Sequence, residues 1–208
     1  RPLGALTPRT GSESELLWTA RFGDPVNFTG FAGQPIIVDG ELWLVHGRTL
    51  EAFDLNSGAS LRSRSLPASQ GYASTAPLYA DGRLFIPLDG GRVLALRADN
   101  WETLWLYEDS LGGQAQNPFA YADGVLYAAF WQKGSSAQLT ALGAESGAII
   151  WQNTVKDGFY WAGAAVSEDC LILGGEDGFV SVYDRADGRV LARESLGSPV
   201  RSSVVSDG

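Results

Sequence analysis

An Asp-Gly pair flanked by two apolar runs returns along this chain at a fixed interval, and no other feature restricts its fold as much. PIIVDGELWLV from Pro35, PLYADGRLFIPL from Pro77 and PFAYADGVLYAAF from Pro118 place the turn aspartates at Asp39, Asp81 and Asp123, 42 residues apart each time. Such a pair predicts a two-residue hairpin turn, whose twist demands positive φ at both central positions. A fourth copy, AAVSEDCLILGG from Ala164, carries Glu168-Asp169 instead, and a fifth, SSVVSDG from Ser202, reaches only its turn.

Each hairpin leads into a third apolar run and a second turn. These are RTLEAFDLNSG ending at Gly58, GRVLALRADN at Asn100, AQLTALGAESG at Gly147 and GFVSVYDRADG at Gly188. Asp, Asn or Ser followed by Gly supplies the local hydrogen bonds and the left-handed residue that such turns need. A fourth run closes each unit: ASLRSRS from Ala59, TLWLYED from Thr103, AIIWQNT from Ala148 and RVLARES from Arg189. No stretch sustains helical periodicity.

Four antiparallel strands per repeat predict an all-β β-propeller, with four complete blades over about residues 31–66, 73–109, 115–155 and 162–197. LLWTARFG from Leu16 reads as an orphan outer strand, and residues 1–15 as a flexible leader ahead of a propeller spanning 16–208. Unpaired sheet edges invite aggregation, so the blades are expected to belong to a larger ring of seven or eight, with a self-closing four-blade ring as the alternative. The start at Arg1 and the lack of Met suggest a processed chain.

The segments AFDLNSG, ALGAESGAIIW and VYDRADGRVLA resemble the Ala-x-Asp-x-x-Thr-Gly-x-x-x-Trp motif of quinoprotein-type propeller repeats. The resemblance implies that the motif Trp packs on the neighbouring blade's turn. Trp151 and Trp105 match that position, while Arg62 and Ala192 stand there in the first and fourth blades, and Asn100-Trp101 replaces Ser-Gly in the second. LGGQAQNP, GFYWAG and RSSVVSDG are similar to segments of bacterial cell-surface proteins bearing these repeats, known mainly from gut anaerobes. A further likeness in fold is to the lipoprotein propeller that assists outer-membrane β-barrel assembly, a non-catalytic scaffold.

Quinoprotein dehydrogenases of this repeat family hold pyrroloquinoline quinone with a calcium-carboxylate site and, commonly, a disulfide between adjacent cysteines. The single Cys170, in the apolar run Cys170-Leu171-Ile172-Leu173, makes no such bridge and reads as a buried hydrophobe. The single His46 falls far short of a zinc set, and Glu176-Asp177-Gly178 reads as a solvated turn between second and third strands. No cofactor, metal or catalytic residue is therefore expected. The formal charge of −9 with scattered basic residues argues against nucleic acid, and no apolar run reaches the ~18 residues of a membrane span.

Connections leading into the innermost strands of a propeller gather on one face. Here they carry Phe28 and Phe31; Tyr72; Gln114, Gln116 and Asn117; Phe159, Tyr160 and Trp161; and Arg201. Aromatic area mixed with amides and one Arg predicts a ligand-binding face for a protein, peptide or glycan. The expectation is an extracellular or cell-surface binding or scaffold module, with the periplasm as second choice. The alternative is part of a quinoprotein-type enzyme completed by residues beyond the chain.

Overall fold

The computed structural model describes residues 16–20, 34–67, 73 and 75–205. Its regular elements are all strands, arranged as four antiparallel sheets, each in sequence order. The first holds β1 (Ile36–Val38), β2 (Glu41–His46), β3 (Thr49–Asp54) and β4 (Ser60–Ser65). The second holds β5 (Leu78–Ala80), β6 (Arg83–Leu88), β7 (Arg92–Arg97) and β8 (Thr103–Glu108). The third holds β9 (Ala120–Ala122), β10 (Val125–Ala129), β11 (Trp131–Gly143) and β12 (Ile149–Gly158). The fourth holds β13 (Ala165–Val166), β14 (Cys170–Gly174), β15 (Phe179–Asp184) and β16 (Val190–Ser195). The predicted leader, residues 1–15, lies outside the described residues.

The Asp-Gly turns carry the backbone their sequence demands. Asp39, Asp81 and Asp123 take φ of 48°, 46° and 50°, and Gly40, Gly82 and Gly124 follow at 86°, 70° and 78°. Glu168-Asp169 turns without positive φ, closed by the Ser167 N–H donating to the Cys170 carbonyl at 2.9 Å. All four sheets repeat one register shift between third and fourth strands, at Ala52/Phe53, Ala95/Leu96, Ala141/Leu142 and Val182/Tyr183. A bulge there strengthens local twist.

The sheets stack through their faces around a shared hub. β1 lies beside β5 and β9 beside β13, which draws the innermost strands together. Alternation along β6 explains the packing: Leu84, Ile86 and Leu88 enter the core shared with the first blade, while Phe85 points into the core shared with the third. In β10, Leu126 and Ala128 face the second blade, and Tyr127 and Ala129 face the fourth. A strand buried on both faces must be apolar throughout, which is why β6 reads Leu-Phe-Ile-Pro-Leu after Arg83. Each fully buried Leu or Phe contributes roughly 1.5–3 kcal/mol.

Two seams between blades, and the contact of the segment at Trp18 with the first blade, use one device. The Trp105 ring lies where a Cβ on Gly147 would come within 2.7 Å, and its indole N–H donates to the Ala144 carbonyl at 3.0 Å. Trp151 sits likewise on Gly188, donating to Arg185 O at 2.8 Å. Trp18, in the orphan segment, does the same on Gly58, donating to Leu55 O at 2.9 Å. The packing of motif Trp on neighbouring turn that the family resemblance implies is thus present, and Trp18 acts as the motif Trp ahead of the first blade.

The seam between the first and second blades exchanges the parts. Cross-strand partners Ala52↔Arg62 and Ala95↔Trp105 put Arg62 in the motif-Trp position. Trp101 holds the turn-glycine position at φ 59°, its N–H donating to Arg97 O as Gly58 N–H does to Asp54 O. The Arg62 guanidinium stacks 4.1 Å from the Trp101 ring centroid and 4.8 Å from that of Trp43. It also donates to Ala98 O at 3.2 Å and Asp99 O at 2.7 Å. Ala98 O is the counterpart of the carbonyls that the tryptophans reach. A cation delivered from the strand to a ring on the turn has replaced a ring delivered from the strand to a glycine.

Cys170 departs from expectation: it is half-buried, not enclosed. It opens β14 beside the turn, where the strand has not yet entered the core. His46 ends β2 and faces Glu51 across the hairpin at 3.1 Å. Glu176, Asp177 and Gly178 form the β14–β15 turn, with Asp177 accepting from the Phe179 N–H at 3.1 Å and pairing with Arg193.

Candidate functional site: an aromatic shelf

One face of the blades carries the fourth-to-first-strand connections together with the second-to-third-strand turns; the opposite face carries the Asp-Gly turns. On the first face the third blade stands out, because β11 and β12 run to 13 and 10 residues where their counterparts have six. This extension projects Trp131, paired with Gly158. The backbone of Gln114 bridges to Trp131 in both directions, at 2.7 Å and 3.0 Å, fixing the connecting segment against the extension.

Tyr160 is stacked in the middle of an aromatic row. Its ring centroid lies 4.4 Å from that of Trp131 and 4.5 Å from that of Trp161, the latter pair tilted by only 18°. Trp161 is 57% exposed and adopts φ 61°. A bulky residue in the left-handed region costs on the order of 1–3 kcal/mol, a strain found where surrounding structure holds a functional side chain in place. The Arg201 guanidinium lies 5.3 Å from the Tyr160 ring and donates through Nε and Nη2 to the Glu176 carboxylate at 2.7 Å and 2.9 Å. Glu176 raises the Arg201 pKa further and offsets its charge, so the shelf offers flat π faces with a neutralised ion pair at one end.

The other residues expected on this face divide by burial. Gln114 is exposed and accepts from the Gln116 amide at 2.7 Å. Asn117 and Phe159 are corrections: they are 0% and 1% exposed and present no surface to a ligand. The Asn117 amide donates to Ala129 O at 3.2 Å and Phe159 O at 2.8 Å, tying the third blade to the segment leading into the fourth. Phe28, Phe31 and Tyr72 lie outside the described residues. Trp131 is a shelf residue that the sequence reading missed. Its signal was present in WQKGSS, an insertion between second and third strands that the other blades lack.

Asp109 anchors the segment leading to Gln114. It is 3% exposed, its Oδ2 accepts from the Gly113 N–H at 3.1 Å, and burial raises its pKa above the usual carboxylate value. The folded state therefore holds this proton more tightly than the unfolded chain does. That stabilising contribution is complete below the ordinary carboxylate pKa and is lost as pH rises through the raised folded value. In Asp109→Asn the gain in stability over the parent should accordingly grow between about pH 4 and about pH 7. Urea unfolding of both proteins at the two pH values checks this; a constant difference would remove Asp109 from the pH profile.

The quinone chemistry of the resembled enzymes needs converging carboxylates and, commonly, adjacent cysteines. Among the described residues no group of three or more His, Cys, Asp or Glu side chains is placed to hold a metal ion, and the chain has one cysteine.

Comparison with known proteins agrees with the repeat architecture. The family model described as outer membrane protein assembly factor BamB matches residues 3–158 and, in a second overlapping match, 108–206. The outer membrane protein assembly factor BamB of Yersinia pestis is 24% identical over 181 residues, covering 83% of this chain and 43% of its own. That of Salmonella typhimurium is 26% identical over 153 residues, covering 73% and 36%. This chain thus spans about two-fifths of the length of these relatives. Among solved structures, a europium-containing methanol dehydrogenase superposes with a TM-score of 0.67 at 15% identity, over 78% of this chain and 41% of that one. At such identity the likeness concerns the fold alone. With its model covering nearly the whole sequence and its propeller blades docked through motif tryptophans, the chain belongs to the outer membrane protein assembly factor BamB family.

Proposed function

We propose that this chain is a non-catalytic polypeptide-binding scaffold that acts outside the cytoplasm in the assembly of outer membrane proteins. The observation that carries this reading is the row Trp131, Tyr160 and Trp161, exposed at its Trp161 end and held there against backbone strain. Flat rings supply contact area at little entropic cost and tolerate many sequences, as a scaffold for diverse chains requires. Arg201, Gln114 and Gln116 border the row with hydrogen-bonding groups. The relatives' name, an assembly factor for outer membrane proteins, supports a polypeptide over a glycan as partner and the outer membrane as the place of action.

Titration with an outer membrane β-barrel polypeptide, diluted from urea and followed by tryptophan fluorescence, tests this. Trp161→Ala is expected to weaken binding by about tenfold or more while leaving the melting temperature nearly unchanged, since the side chain removed is mostly exposed and alanine keeps the same left-handed backbone. Unaltered affinity in a folded Trp161→Ala variant would end the assignment of the shelf.

A further inference from the structure

Beside the exchanged pair Arg62 and Trp101 lies a cleft of about 990 Å³ on the face of the Asp-Gly turns, opposite the aromatic shelf. It runs from the Asp39 and Asp81 turns, past Trp43 and Tyr79, to Leu61 and Leu104 on the outer strands. Where the other seams fill this space with an indole, here Arg62 draws inward between Trp43 and Trp101.

We infer that this cleft is a second binding site, and that it takes an extended, arginine-bearing basic polypeptide segment. The protein's own Arg62 displays the recognition: a guanidinium stacked on Trp43, facing Glu41 at 3.5 Å and donating to backbone carbonyls. The remaining wall continues the same chemistry outward. Asp39, Asp99 and Glu145 are exposed carboxylates without side-chain partners among the described residues, and Asp81 accepts from the Tyr121 hydroxyl. Against these stand Arg83, which donates to the Asp81 carbonyl, and Arg97. With the Glu41–Arg62 pair cancelled, four carboxylates oppose two guanidinium groups, within a chain of formal charge −9. Tyr79, 39% exposed and edge-on to Trp43 at 6.0 Å, offers a second ring on which an incoming cation can stack. A planar guanidinium suits this combination of ring faces, carboxylates and carbonyls better than an ammonium. The inference is independent of the shelf, and it gives a scaffold two faces with different partners.

The test is calorimetric titration at low salt with short alternating arginine–glycine, lysine–glycine and glutamate–glycine peptides. One saturable site is expected for the arginine peptide, weaker binding of the lysine peptide and none of the glutamate peptide. Asp39→Asn with Asp99→Asn, isosteric changes in exposed turns, should weaken the arginine peptide by about tenfold, and Tyr79→Ala by about fivefold. Trp161→Ala should leave this binding unchanged, which separates the cleft from the shelf. The same loss from Glu168→Gln with Glu194→Gln, exposed carboxylates of the fourth blade, would overturn the inference by showing diffuse attraction to an acidic protein. Absence of saturable binding would overturn it as well.

Discussion

Trp105→Ala should lower the unfolding free energy by about 3–5 kcal/mol, the range for emptying a buried aromatic site. Trp105 is 9% exposed and packs between Phe85, 5.8 Å away between centroids, and the turn at Gly147. Truncation opens a void in the core shared by the second and third blades and leaves the Ala144 carbonyl without its indole donor. Neither loss is easily repaired, because both walls belong to sheets whose spacing is set along their whole length. Gly147→Ala approaches the same contact from the other side. A Cβ there meets the Trp105 ring at 2.7 Å on a residue at φ 70°, so the variant combines overpacking with backbone strain, each about 1–3 kcal/mol. Urea unfolding reads both effects. A cost below about 1 kcal/mol for Trp105→Ala would mean that the seams are not held by these rings.

The second large effect is a coupling. Arg62→Trp alone brings an indole onto a turn already filled by Trp101, and Trp101→Gly alone strips the Arg62 guanidinium of the closer of its two stacking partners. Together the two changes rebuild the indole-on-glycine contact found at the other seams. Each single variant should lose about 1–3 kcal/mol, and the double variant should recover most of the summed loss, a coupling of about 1–3 kcal/mol. Additive losses in the double-mutant cycle would show that the two residues do not replace one another's partners.

Most of the fold was legible because its determinants are local and recur. Positive φ at Asp39, Asp81 and Asp123 follows from Asp-Gly alone, and doubly buried strands such as β6 declare themselves by unbroken apolar runs. Trp151 was legible too, four residues after Gly147, and Trp105 stands at the same distance from Trp101, which replaces the glycine. What escaped depends on contacts between units. Arg62 and Trp101 each look like a lone departure from the motif, and only the packing of adjacent blades reveals that one answers the other. Trp18 lies ahead of any recognisable turn, so its role as a seam residue needed the first blade in place.

The candidate site was less legible for the same reason. An amide in a connecting segment reads alike whether it faces solvent, as Gln114 does, or caps two carbonyls in the interior, as Asn117 does. Phe159 and Tyr160 are neighbours in sequence, yet one fills the core and the other stacks on the shelf. Trp131 joins them across a long extension whose length, not composition, brings it within reach.

The central claim is that partner binding uses the face where connecting segments gather. Hydrogen–deuterium exchange of the chain with and without a urea-diluted outer membrane β-barrel polypeptide tests it most directly. The account predicts slowed exchange in the segments carrying Gln114, Trp131, Trp161 and Arg201, whether or not the Asp-Gly turns at Asp39 and Asp81 are also slowed through the cleft. Protection confined to those turns, with the shelf segments exchanging as in the free protein, would contradict it.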